Sequence, residues 1–159
     1  MTLPTIVPSG FDGTVNDFNK CKADKSGALR SSNFLVTVPA STVSGTVIGL
    51  VPVRKGARLH LAACRITSDD LDTNNAVTAS VGIVYDDTTN NTSVPAVYVG
   101  TGSTALNTGS AFTLLTTDAA DKYVATGSGW VAITTAAAST TTSGTVHGVL
   151  AITYDPSLQ

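Results

Sequence analysis

Two histidines and eleven acidic residues, all of them aspartate, are the side chains best suited to acid–base catalysis. His60 and His147 each lie inside a segment with the alternating pattern of a strand. A serine nucleophile often lies in a G-x-S-x-G turn, and the sequence contains none. We therefore interpret both histidines as strand residues that hydrogen-bond on a polar face or at a subunit contact, and we predict no enzymatic activity. A Ser–His–Asp site assembled in space around one histidine is the alternative.

Oxygen-rich loops at residues 69–74 and 86–91 have the ligand types that Ca²⁺ prefers. Neither loop has the spacing of a calcium-binding loop, and Asp and Asn also gather in turns because they bond the neighbouring backbone. The cysteines and histidines lack the short spacing of a zinc site, and no glycine-rich nucleotide motif is present. We predict no metal and no cofactor, with calcium as the alternative.

Cys21 and Cys64 are the only cysteines, so the sequence carries no disulfide framework. We interpret both as free thiols of a protein made in a reducing cytosol, with Cys64 as a small core residue inside a strand. A bridge between Cys21 and Cys64 is left open.

Charged residues make up 13% of the chain, and the formal net charge is −2. Duplex nucleic acid needs a clustered excess of Lys and Arg, so we predict no nucleic-acid partner. No apolar run approaches the roughly 20 residues of a membrane span, and the first residues lack the basic and apolar regions of a signal peptide. We predict no membrane association. Weak net repulsion between copies suits a protein that lies within an assembly.

Residues 1–32 differ from the rest and are predicted to form an extended N-terminal arm. Prolines and glycines interrupt this stretch. It also holds four of the nine basic residues, Lys20, Lys22, Lys25 and Arg30. Short strands are expected at residues 5–7 and 14–18. The basic stretch either docks on an acidic neighbour or is simply solvated, and both interpretations stay open.

Residues 33–159 are predicted to form an all-β domain, because apolar residues alternate with polar or small ones between turn signals. The predicted strands are 33–38, 46–53, 57–67, 77–85, 95–99, 112–115, 130–134 and 144–154, with one helical turn at 118–124. A single flat sheet could not bury so many apolar faces. We therefore predict a two-sheet antiparallel sandwich of the jelly-roll or Greek-key type.

Two of these strands carry more detailed expectations. Segment 77–85 has one fully apolar face, and its other face is small or polar, so it should be half-buried. Segment 57–67 should be one long strand with Leu59, Leu61 and Ala63 on its apolar face.

Three short stretches of this chain resemble parts of small tailed-bacteriophage virion proteins. The first is an apolar segment that leads into a basic turn, Gly49 to Leu59. The second is the strand element Ala79-Ser80-Val81-Gly82. The third is the start of the closing strand, Gly144-Thr145-Val146-His147-Gly148. The resemblance covers residues 46–154.

The resemblance implies a capsid auxiliary protein of the decoration, cement or head-fibre kind, without enzymatic activity. Such a protein is displayed in many copies, often as a homotrimer, on the outside of the shell formed by the major capsid protein. It would be made in the cytoplasm of the host bacterium and found on the capsid surface of the virion. The predicted function is to bind the capsid and stabilise it.

Basic residues of the arm and of the turn are the candidate capsid contacts, giving orientation more than affinity. They are Lys20, Lys22, Lys25, Arg30, Arg54, Lys55 and Arg58. Solubilising charge is the competing explanation for the turn. The alternative function is a tail-fibre, baseplate or other receptor- or glycan-binding virion module, which would expose an aromatic patch.

Overall fold

The computed structural model describes residues 3–9, 29–87, 89–115, 117–155 and 157. The strands of this part are β1 (Arg30–Val38), β2 (Val47–Val53), β3 (Ala57–Leu59), β4 (Arg65–Ser68), β5 (Thr78–Tyr85), β6 (Val94–Ser103), β7 (Gly129–Ala136) and β8 (Gly144–Tyr154). Two short helices, α1 (Ala105–Thr108) and α2 (Asp118–Asp121), and a 3₁₀ turn at Leu61–Ala63 accompany them. Neither helix in these ranges has the length and apolarity needed to span a bilayer.

Two antiparallel sheets of four strands each make up the fold. In the first sheet β8 lies between β1 on one side and both β3 and β4 on the other, and the second sheet has the order β2-β7-β5-β6. The pairs are nested along the chain: β1 pairs with β8, β2 with β7 and β5 with β6, while Thr67 of β4 bridges to Ala111. Nested pairing of this kind describes a jelly roll, so the predicted two-sheet sandwich is confirmed.

The core between the sheets is built from alternate residues of facing strands. Val36, Ile83 and Leu150 come from β1, β5 and β8, and all three have no exposed surface. Each such aliphatic side chain contributes about 1.5–3 kcal/mol through burial. The closing strand β8 has its predicted bounds, and β1 begins three residues before the predicted start at residue 33.

An N-terminal segment covers the outer face of the second sheet. Leu3 and Val7 pack against a cluster that includes Val84 and Trp130, both without exposed surface. Ile6 forms a parallel bridge with β2, where one of the short arm strands was predicted. The other predicted arm strand, at residues 14–18, lies outside the described residues.

The prediction that residues 77–85 form a half-buried strand is therefore wrong. Ser80, Gly82 and Val84, on the outer side of β5, are as buried as the core-facing residues. A period-two pattern identifies one apolar face, but it does not reveal what covers the other. Leu3 and Val7 pack against the cluster that contains Val84, and a Cβ at Gly82 would meet the backbone of residues 94–96 in β6.

Segment 57–67 is also wrong as one long strand, because the chain turns at its middle. Leu59 and Leu61 are buried as predicted, whereas Ala63 lies in the 3₁₀ turn and is exposed. The amide of His60 donates to the Ala151 carbonyl at 2.9 Å, and the chain then leaves the sheet until β4. Leu59 lies opposite Ile152 and Arg65 lies opposite Val149. The segment therefore advances six residues while β8 advances three, which one strand in a single register would not do.

Two smaller predictions differ in length. No strand forms at residues 112–115, where one was predicted, and a single bridge lies one residue earlier, at Ala111. β6 extends through residues predicted as a loop. The helical turn predicted at 118–124 is present as α2, where the Thr117 hydroxyl accepts a hydrogen bond from the Ala120 amide at 3.3 Å.

Candidate functional site

The basic turn between β2 and β3 is pinned to two other segments. Gly56 adopts a φ of 83°, a left-handed conformation that favours glycine. Its amide donates to the Ala125 carbonyl at 2.8 Å, and its carbonyl accepts from the Asp155 amide at 2.9 Å. Lys55 is exposed at the tip of this turn. The backbone therefore presents Lys55 to the surroundings from a fixed position.

Arg58, on β3, is engaged within the chain by Asp121. Its Nε donates to the Asp121 carbonyl at 2.8 Å, and its Nη2 lies 3.1 Å from the Asp121 carboxylate. A backbone bridge joins Arg58 to Val124 as well. Arg58 thus fastens the segment after α2 to the first sheet, which leaves its guanidinium fewer donors for an outside partner. Sequence reasoning missed this pair because the two residues are 63 positions apart.

The other candidate contacts divide by location. Arg30 begins β1 opposite Ile152, and Leu59 of β3 pairs with Ile152 from the other side. Arg30 therefore lies at the same end of the sandwich as Arg54 and Lys55. Arg54 is partly exposed. The remaining three candidates, Lys20, Lys22 and Lys25, lie outside the described residues.

Acidic residues share this end of the sandwich with the basic ones. Asp155 follows β8 and contacts the turn through its amide. Asp118 and Asp121 lie in α2, where Lys122 forms an ion pair with Asp118 at 2.7 Å. The end is a mixed surface, which suits recognition of a partner by a few positioned charges more than attraction to a uniformly acidic polymer.

The opposite end of the sandwich is organised by Asp72, which is 1% exposed. Its carboxylate accepts hydrogen bonds from the amides of Asn74, Ala76 and Val77 at 2.7–3.1 Å and from the Thr141 hydroxyl at 3.2 Å. Burial raises the pKa of Asp72, but these hydrogen bonds outweigh it and hold the pKa below its ordinary value. Asp72 closes the loop between β4 and β5.

The other acidic loop positions also face donors of their own chain. The Asp87 carboxylate accepts from the side-chain and backbone amides of Asn90, and these bonds lower its pKa. Asp69 accepts from the hydroxyl and amide of Thr145, with the same effect on its pKa. Across the described ranges, no group of three or more His, Cys, Asp or Glu side chains is arranged to hold a metal ion.

The two histidines lie apart on the first sheet. His60 lies one residue beyond β3, and its Nε2 is 2.9 Å from the Thr153 hydroxyl. His147 is exposed in β8, in register with Leu35 and Thr67. Within the part of the chain that the structure describes, neither histidine hydrogen-bonds to a serine or an aspartate, so this part offers no Ser–His–Asp arrangement.

Cys64 carries a free, half-buried thiol that packs against the core. It lies between the 3₁₀ turn and β4 instead of inside a strand, which corrects the predicted position. Its Sγ accepts a hydrogen bond from the Ala151 amide at 3.3 Å, and burial raises the pKa of the thiol. Cys21 lies outside the described residues.

The aromatic side chains that the structure describes point mostly inward. The Tyr85 and Tyr123 hydroxyls are 2.8 Å apart, and the Tyr98 ring meets the Tyr123 ring edge-on at a centroid distance of 6.4 Å. Burial raises the pKa of Tyr98 and of the half-buried Tyr123. The buried aromatics are Phe34, Tyr85, Tyr98, Phe112, Trp130 and Tyr154. The described residues therefore form no exposed aromatic platform.

Comparisons with known proteins show where this fold recurs. No protein-family model matches the sequence, and no curated protein matches it. A chain of the structure described as "Cyanophage Pam1 capsid asymmetric unit" superposes with a TM-score of 0.61 and 21% identity, over 81% of this chain and 86% of that chain. A chain of the "Capsid of Ralstonia phage GP4" gives a TM-score of 0.62 and 20% identity over the same shares. This chain is therefore a jelly-roll β-sandwich whose fold also occurs in chains of phage capsid structures.

Proposed function

We propose that this protein is a structural component of a phage virion that binds the outside of the capsid and stabilises it, as a decoration or cement protein. The observation that carries the proposal is the shared jelly roll in two capsid structures, over most of the length of each chain. The partner is the major capsid protein, the location is the capsid surface after synthesis in the host cytoplasm, and no bond-making step is involved.

Stabilisation of this kind follows from mass action. A subunit that binds the assembled shell but not loose coat protein lowers the free energy of the shell alone. We propose a homotrimer as the binding form, because once one subunit has bound the shell, the second and third subunits bind at high effective concentration. A rigid sandwich with a pinned turn loses little conformational entropy when it docks.

Lys55 is the contact that the geometry favours among the described candidates. It is exposed on a turn whose backbone is fixed from two sides, and Arg54 and Arg30 lie at the same end. Arg58 is a weaker candidate because Asp121 already engages it. Lys20, Lys22 and Lys25 remain proposed contacts of the arm.

Lys55→Glu tests the contact in a sedimentation assay with purified shells that lack the protein. We expect normal folding and an affinity for the shell lower by about tenfold, since the change removes one attraction and adds a repulsion. Arg65→Glu is the matched control, because it makes the same charge change at an exposed position on β4, away from the turn. Equal binding by Lys55→Glu and wild type would remove the turn from the interface.

Electron microscopy of virions tests the function itself. Density for the protein on the outside of the shell supports a decoration role, and density at symmetry axes of threefold type supports the trimer. Density confined to the tail would instead favour the receptor- or glycan-binding alternative. Among the described aromatics only Tyr123 is half-buried and the others are buried, so no observation on the described surface favours that alternative.

A further inference from the structure

The basic turn is held by the connector, which comprises residues 122–126 between α2 and β7. The Ala125 carbonyl of the connector accepts a hydrogen bond from the Gly56 amide at 2.8 Å, and the Ala125 amide donates to the Ala57 carbonyl at 2.8 Å. Lys55 directly precedes Gly56, and its side chain is exposed. The position of the connector therefore determines where the Lys55 side chain is presented.

Arg58 and Asp121 fix the first end of the connector to the first sheet. Arg58 Nε donates to the Asp121 carbonyl at 2.8 Å, and Arg58 Nη2 lies 3.1 Å from the Asp121 carboxylate. A planar guanidinium that bonds two oxygens of one residue restricts that residue more than a single point charge does. Asp121 is the last residue of α2, and the connector starts at the next residue.

Tyr85 of β5 fixes the other end of the connector to the second sheet. Its hydroxyl accepts a hydrogen bond from the Thr126 amide at 3.0 Å and lies 2.8 Å from the Tyr123 hydroxyl. Tyr85 has no exposed surface, whereas the side chains of Arg58 and Asp121 are 37% and 47% exposed. The connector therefore joins the two sheets, and the Arg58–Asp121 pair is the attachment that solvent reaches.

We propose that Arg58 and Asp121 are positioning residues for the Lys55 contact and act on capsid binding without touching the capsid. This inference rests on the proposed function. With the pair intact, the connector holds the turn in one place, so Lys55 loses little conformational entropy when it docks. Without the pair, the connector and the turn sample more positions, and the affinity falls although no contact has been removed.

Positioning and direct contact predict opposite effects of Asp121→Ala on shell binding. The change removes a negative charge beside Arg58, so an Arg58 that contacts an acidic group of the shell would bind it more tightly. Positioning predicts an affinity lower by about threefold. Arg58→Lys keeps the positive charge but lacks the planar fork, so it should lower the affinity by a similar factor.

Asp118→Ala is the matched control, because it makes the same change in the same helix. Its ion pair with Lys122 joins exposed side chains and contributes little to holding the connector. A second comparison combines Asp121→Ala with Lys55→Glu in the sedimentation assay. If Asp121 acts through Lys55, the second substitution adds little further loss, so the two effects are not additive. Tighter binding by Asp121→Ala, or fully additive losses, would overturn the proposal.

Limited digestion with trypsin gives a readout that needs no capsid. Trypsin cleaves after Lys and Arg, and the bond after Lys55 lies in the exposed turn. A looser connector opens the turn more often, so this bond should be cut at least about threefold faster in Asp121→Ala and Arg58→Lys than in Asp118→Ala. Cleavage after Arg65, inside β4, measures general unfolding and should stay at the wild-type rate.

The two readouts distinguish failure of this inference from failure of the proposed function. Wild-type protein that does not bind shells would contradict the proposed function, and the digestion would still show whether Arg58 and Asp121 fix the turn. Shell binding by the wild type together with equal cleavage after Lys55 in all variants would contradict this inference alone. A parallel rise in cleavage after Arg65 would show that the pair stabilises the whole domain and does not position the turn.

Discussion

Gly49→Ala probes the layer that joins the N-terminal segment to the second sheet. A Cβ added at Gly49 would lie 2.7 Å from Cε3 of Trp130 and 2.9 Å from Cγ of Pro4. Carbon atoms in contact are normally 3.5–4.0 Å apart, so the Trp130 ring and the Pro4 ring must each move roughly 1 Å away from the added Cβ. Gly49 does not have a positive φ, so the substitution adds crowding without backbone strain.

The expected cost of this change is about 1–3 kcal/mol, the range for an extra methyl group in a well-packed site. For a domain of this size, that lowers the Tm by about 2–12 °C. Trp130 is the only tryptophan and has no exposed surface. Its fluorescence should therefore shift to longer wavelength as Pro4 moves away and water reaches the ring.

Gly100→Ala is the control for this experiment, because a Cβ at Gly100 would meet no atom within 4 Å. It should leave both the Tm and the emission close to wild type. Pro4→Gly removes one of the two crowding groups, so Gly49→Ala should cost at least about 0.5 kcal/mol less in that background. A Gly49→Ala variant with wild-type Tm and emission, or an undiminished cost beside Pro4→Gly, would refute the packing of Pro4 over Gly49.

Two further predictions concern the core and the Asp72 loop. Ile83→Asp should abolish folding, because a carboxylate between the sheets costs several kcal/mol out of a total stability of about 5–15 kcal/mol. Ile83→Val is the control and should cost only about 1 kcal/mol. A cooperative unfolding transition in Ile83→Asp would contradict this prediction. The pKa of Asp72 is lower in the folded state than in the unfolded state. Its ionised carboxylate therefore adds to the free energy of unfolding above the unfolded-state pKa of about 3.9, and this contribution is lost as the pH falls through the folded-state pKa. Asp72→Asn should therefore have a lower Tm than wild type at neutral pH, and the gap should narrow on acidification below about pH 4; a gap that stays constant with pH would show that the charge of Asp72 is not involved.

Local patterns predicted much of the fold because alternation is a property of neighbouring residues. β1 and β8 form at or close to their predicted bounds, and the predicted helical turn is present as α2. Where long-range contacts decide the outcome, the sequence predicted less. The break after Leu59 depends on how two short strands share β8, and the burial of Val84 depends on residues near the N-terminus.

The candidate site shows the same division. The basic turn was evident from Arg54, Lys55 and a following glycine, but its anchoring to Ala125 and Asp155 was not. Asp121 binds Arg58, which makes Arg58 a weaker candidate for a capsid contact. Local sequence patterns could not predict this pair, because the two residues lie far apart in the chain. Lys55 remains the favoured candidate for a capsid contact, because no described residue binds its side chain.

The amino-acid order by itself determined a β-sandwich with a low-charge surface, since period-two apolar patterns and scarce charged residues are local and compositional facts. Only the tertiary structure decided which strands pair and that a second apolar layer covers one sheet. The physical reason is that hydrogen-bond partners and covering surfaces come from segments tens of residues apart. Their choice is made by the burial and pairing free energy of the whole chain, which no single window of sequence contains.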